Sequence, residues 1–138
     1  MVEVDNLEKV EGIGPVYAEK LKQAGAKTTR DLLKLAKTPE DRKKLADLTR
    51  IGECQILKWA NHADLMRIKG IGGEFAELLE KVGVDTVREL ASRNADNLYE
   101  AVQKFDLTTS PIVRRIPGKA SIVAWIKQAK RLKPTLTY

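Results

Sequence analysis

Helical spacing is the one consistent period in the apolar positions of this chain. From Pro15, a favoured first-turn residue, Val16, Tyr17, Ala18 and Leu21 fall near one face, and Gly25 stands where a left-handed C-terminal cap belongs. Thr28 or Thr29 then opens a second short helix. Thr38-Pro39 predicts a third over 39–48, the stretch 53–66 reads as a longer one, and a last helix over 121–132 ends before Lys133-Pro134. Ahead of the first helix, Gly12-Ile13-Gly14 allows a turn with unusual backbone angles, whose central isoleucine can fold back as an apolar plug between helices.

The same arrangement returns 58 residues later. Residues 68–92 repeat 10–34, pairing Gly12 with Gly70, Ile13 with Ile71, Gly14 with Gly72, Tyr17 with Phe75, Leu21 with Leu79, Gly25 with Gly83, Thr28 with Thr86 and Leu32 with Leu90. Thr86-Val87-Arg88-Glu89 has the form of a capping box. A weaker second pair lays Arg50-Ile51-Gly52-Glu53-Cys54 over Ile116-Pro117-Gly118-Lys119-Ala120, with Trp59 on Trp125. That offset is 66, so the second copy holds eight extra residues (66 minus 58). A helix entered from such a turn starts with unpaired backbone N–H groups, a ready place for a phosphate oxygen.

At these residues the chain resembles the helix-hairpin-helix superfamily of nucleic-acid-binding modules. More widely, GIGPVYAEKLKQAGAKTTRDLL and RIGECQILKWANHADLMRIKGIG resemble a prokaryotic domain family of unknown function, related to the N-terminal helical domain of archaeal and eukaryotic RecA-family recombinases. The resemblance covers nearly the whole chain. It implies an all-α fold of two tandem repeats of paired helix-hairpin-helix (SAM-like) units, over 1–66 and 67–138. It also implies backbone contact with nucleic acid at Gly70, Ile71 and Gly72, and in the first copy at Gly12, Ile13 and Gly14.

Charge sharpens this picture. The chain carries 25 Lys+Arg against 19 Asp+Glu, yet 107–138 holds Arg114, Arg115, Lys119, Lys127, Lys130, Arg131 and Lys133 with no acid, so the first 106 residues sum to −1 (18 minus 19). A basic C-terminal segment beside the Gly118 turn suits a polyanion, because neutralised phosphates release counterions whatever the base sequence. Lys69 places a further cation before the second Gly-Ile-Gly; Glu11 precedes the first and Glu74 follows the second, where acids repel phosphate. The candidate interface is thus Lys69, Gly70, Ile71, Gly72, Arg114, Arg115, Gly118 and Lys119, with Gly12, Ile13 and Gly14. The expected function is binding to duplex or branched DNA without sequence readout, since phosphate contacts position but do not specify. A protein-interaction or scaffolding module is the alternative, since small helical units also present grooves to partner helices.

Other chemistries find less support. His62 has no second histidine to complete a metal or acid–base site, and no Asp/Glu pair has a catalytic pattern, so neither enzyme activity nor a metal or other cofactor is expected. Lys81 and Asp85 follow the second hairpin as in base-excising enzymes, but two small units leave little material for a base pocket. Trp59 and Trp125 read as core, and lone Cys54, aligned with Ala120, reads as a small core residue. No stretch approaches a membrane span and no signal peptide is visible, so the expected location is the cytoplasm.

Overall fold

A computed structural model describes residues 5–108 and 115–138. Among these the fold is all-α: α1 (Pro15–Gln23), α2 (Thr29–Leu35), α3 (Pro39–Thr49), α4 (Glu53–Leu65), α5 (Gly73–Lys81), α6 (Val87–Ala91), α7 (Ala95–Thr108) and α8 (Lys119–Arg131), preceded by a 3-10 turn at Leu7–Lys9. The described residues contain no strand, only an isolated bridge between Asn6 and Thr28. No described helix is long and apolar enough to cross a membrane. In the first half α2 and α3 pack on α4, and in the second α6 and α7 pack on α8. Buried side chains from both halves form one continuous core, and the expected boundary at 66–67 falls in a buried turn, with Leu65, Met66 and Ile68 at 1% exposure or less.

The local chemistry of the two halves runs in parallel. Gly12 has φ +92° and Gly70 φ +97°, a region closed to most side chains. The Ile13 N–H donates to Val10 O and the Ile71 N–H to Ile68 O, both at 3.1 Å. Each isoleucine is 3% exposed. At the far end of α1 and α5, the N–H groups of Ala26 and Val84 donate to Leu21 and Leu79, both at 2.8 Å, closing the turn through Gly25 and Gly83. Thr28, Thr38 and Thr86 then cap α2, α3 and α6 through their hydroxyls. The reciprocal capping box forms at Thr28/Asp31, whose carboxylate accepts from the Thr28 N–H. In the second copy only half of it forms, because Glu89 turns its carboxylate to Arg93 at 2.8 Å.

One side chain sits where the sequence pattern did not put it. Cys54 is exposed rather than part of the core, as is Ala120, the residue aligned with it. Both lie in the first turn of their helix (α4 and α8), on the side away from buried Ile56 and Ile122. His62 is fully buried on α4, and its Nε2 lies 3.0 Å from Glu80 Oε2 on α5. Burial lowers the His62 pKa from its usual 6.5, against the opposing pull of Glu80. The unfolded chain therefore binds more protons than the folded one as pH falls below that value, and stability is lost over that interval. Thermal melts of the wild type should shift down between about pH 7 and about pH 5.5, and those of His62→Gln should shift less. Parallel shifts in the two proteins would remove His62 from the account.

The C-terminal segment 133–138 returns across both halves. Arg42, 5% exposed, donates to Ala36 O (2.9 Å), Lys37 O (3.2 Å) and Thr137 O (2.8 Å). The Thr137 N–H donates to Lys37 O at 2.8 Å, and the Tyr138 hydroxyl to Asn61 Oδ1 at 2.7 Å. Leu136 is buried. Burial and the nearby carboxylates of Asp64 and Asp85 push the Tyr138 phenol up to about 12.

Candidate nucleic-acid interface

The described helix starts fall into two kinds. Side chains cap α2, α3 and α6 (threonine hydroxyls) and α7 (the Asn94 amide oxygen), whereas α1, α4, α5 and α8 begin after Gly14, Gly52, Gly72 and Gly118, with no side-chain cap. None of these four glycines needs its freedom for the backbone: their φ angles are −91°, −61°, −95° and −69°. Nor does packing demand it, since a Cβ at any of the four would meet nothing within 4 Å. Each leaves first-turn amides without a side-chain acceptor at a positive helix end, although Pro15 has no N–H to offer at α1 and the Lys9 carbonyl stands against Gly73 at α5.

Behind two of these starts lies an aromatic platform. A Cβ on Gly12 would stand 3.2 Å from Trp59 Nε1, and one on Gly70 2.9 Å from Trp125 Nε1. Tyr17 meets Trp59 with ring centroids 5.1 Å apart, and Phe75 meets Trp125 at 5.3 Å. Both tryptophans are buried, at 1% and 3% exposure, so they brace the turns. Each Gly-Ile-Gly turn thus sits over a tryptophan seven residues beyond the glycine that opens α4 or α8, roughly 10 Å along the helix axis. Lys69–Gly72 and Gly118–Lys119 are therefore separate points along α8.

Position and charge differ among the points. Lys69 is exposed, but its N–H donates to Gln128 Oε1 at 3.1 Å, which leaves the side chain as its means of meeting an anion. The first turn of α5 holds Glu74 and that of α4 Glu53, whereas α1 and α8 have no acid there. Lys119 is paired with Asp96, both more than half exposed. Arg115 is exposed, and Arg114 lies outside the described residues. Ile13 and Ile71 hold their turns from inside and present only backbone. The two copies also touch: the α-carbon of Gly73 lies directly against the Lys9 carbonyl.

Gly52 completes the set of four, and the sequence reading did not select it as a site. Its signal was present in the alignment of Ile51-Gly52 with Pro117-Gly118, whose first members are both buried and second members both exposed. Comparison with known proteins finds no match among curated proteins or solved structures. A family model described as a domain of unknown function (DUF4332) matches residues 11–132, and the chain belongs to that family.

Proposed function

We propose that the chain is a tandem of paired helix-hairpin-helix units, related to the N-terminal helical domain of RecA-family recombinases, that binds duplex or branched DNA without reading its sequence. One observation carries this reading: four helices start on uncapped glycines that neither backbone angle nor packing requires. Serine or aspartate there would cap the helix slightly better. What glycine adds is room for an outside acceptor to reach the amides. The start of α8 ranks first, because its first turn carries no acid and has no proline; that of α1 also lacks an acid but opens on Pro15, which has no N–H. At α8 the basic segment adds Arg115 and Lys119; the exposed Lys119–Asp96 pair is worth at most about 1 kcal/mol, so a phosphate can compete for the lysine. The protein-interaction reading rests on Val16 and Leu48, 69% and 74% exposed.

Aspartate at the helix starts separates fold from function by sign. In Gly14→Asp and Gly118→Asp the new carboxylate caps the helix and favours the dipole, so melting temperature should hold or rise. The same carboxylate occupies the phosphate's place, so affinity for a fluorescent duplex should fall about tenfold or more in the double variant. In the wild type, log affinity should fall against log salt with a slope of roughly −4 to −5 if four to six phosphates are neutralised, and should vary little among random sequences. Unchanged affinity in the double variant would sink the amide mechanism. Absence of DNA binding at low salt would favour the protein partner.

A further inference from the structure

A concave site lies away from the glycine helix starts, between α2 and the returning C-terminal segment. Its volume is about 400 Å³, within the usual range for small-molecule sites. Thr29, Arg30, Leu33, Lys34 and Lys37 form one wall, and Arg67, Pro134 and Thr135 the other. No acid lines it. Arg30 and Lys34 are one helical turn apart on α2 and Lys37 follows just beyond its end, so three exposed like charges line one wall, and none of them takes part in an ion pair among the described residues. Arg67 differs from these: it is 6% exposed and its charge is answered by Asp64 at 2.8 Å. Two of its five N–H groups are used, toward Asp64 and Lys133 O. Leu33 and Pro134 give the cavity an apolar floor.

We infer that this cavity binds a small organic phosphate of nucleotide size, with its phosphoryl groups among Arg30, Lys34 and Lys37 and its ring system on Leu33 and Pro134. Three cations in no close ion pair, of which only Lys34 has a nearby carboxylate (Asp31) among the described residues, suit a multiply charged anion, and the guanidinium of Arg30 matches two phosphoryl oxygens at once. The apolar floor selects an organic ligand over a bare inorganic ion. This inference stands apart from the DNA reading, because it uses none of the glycine helix starts.

Amide chemical shifts followed by NMR during titration with ADP, pyrophosphate and adenosine test it. ADP should saturate with a Kd of roughly 1 mM or tighter, moving the amides of Thr29, Arg30, Leu33, Arg67 and Thr135. Pyrophosphate should bind the same residues several-fold more weakly, and adenosine should not saturate. The double variant Arg30→Glu/Lys34→Glu, both exposed and unpaired, should lose at least tenfold in ADP affinity with its circular dichroism unchanged, while Lys20→Glu/Lys22→Glu should match the wild type. Failure of ADP to saturate, pyrophosphate binding as tightly as ADP, or equal losses from the two double variants would each overturn the inference. Loss of DNA binding without loss of ADP binding, as expected for Gly14→Asp/Gly118→Asp, keeps the two sites distinguishable.

Discussion

Replacing Asp64 by alanine should lower the unfolding free energy by about 3–5 kcal/mol, the usual result of stripping one partner from a buried ion pair. Asp64 is 5% exposed at the end of α4. Its Oδ1 accepts from Arg67 Nη1 at 2.8 Å and from the Thr135 hydroxyl at 3.0 Å, and its Oδ2 accepts from the Val87 N–H at 2.8 Å, the first amide of α6. One carboxylate therefore holds the turn between the two halves, the start of a helix in the second, and the C-terminal segment. Without it a buried guanidinium, an amide and a hydroxyl lose their acceptor together. Asp64→Asn keeps an acceptor for one or two of these and should cost about 2 kcal/mol. Against a total stability of about 5–15 kcal/mol for a domain of this kind, the alanine variant should show a clearly lower urea midpoint. A loss under about 1 kcal/mol would mean that the three groups find other partners.

Local signals were legible in the sequence wherever a residue type has one backbone consequence. Gly12 and Gly70 were readable as turn residues, and they take matching positive φ angles. Thr28, Thr38 and Thr86 were readable as caps because a hydroxyl at that place accepts from the N3 amide. Trp59 and Trp125 were readable as core from the apolar residues around them. The C-terminal segment was opaque: Thr135, Leu136, Thr137 and Tyr138 have no period, and their bonds reach residues 71 to 100 positions away. Arg42 and Arg67 carry the charge of surface residues, and nothing local marks a guanidinium that will close on backbone carbonyls. Cys54 misled because small apolar character says little about which side of a helix a residue takes. Of the candidate site, the hairpin glycines were visible as a motif. That Gly14, Gly52, Gly72 and Gly118 all cap helices facing open space depends on what is not beside them, which only three dimensions supply.

Gly73 shows the same limit, and its replacement by alanine should cost about 3 kcal/mol, the upper part of the range for overpacking a rigid site. In the first copy its counterpart is Pro15, so the alignment alone suggests that side chains are tolerated at the first helical residue. In the second, a Cβ would lie 2.1 Å from the Lys9 carbonyl oxygen and 3.3 Å from the Glu11 nitrogen. Both neighbours are backbone, and the segment that carries them is held by Leu7 and Val10, 2% and 1% exposed, so it cannot step aside as a flexible side chain would. Relief has to come from moving α5 relative to the first turn, which also disturbs the His62–Glu80 contact between α4 and α5. The control is one residue away: Gly72→Ala meets open space at an ordinary φ and should cost less than about 1 kcal/mol. Urea denaturation of the two variants side by side makes the comparison. Equal midpoints would show that the Lys9–Gly73 approach relaxes at little cost and does not fix how the two copies meet. The expected gap would make that approach a rigid joint that sets the spacing of the two Gly-Ile-Gly turns.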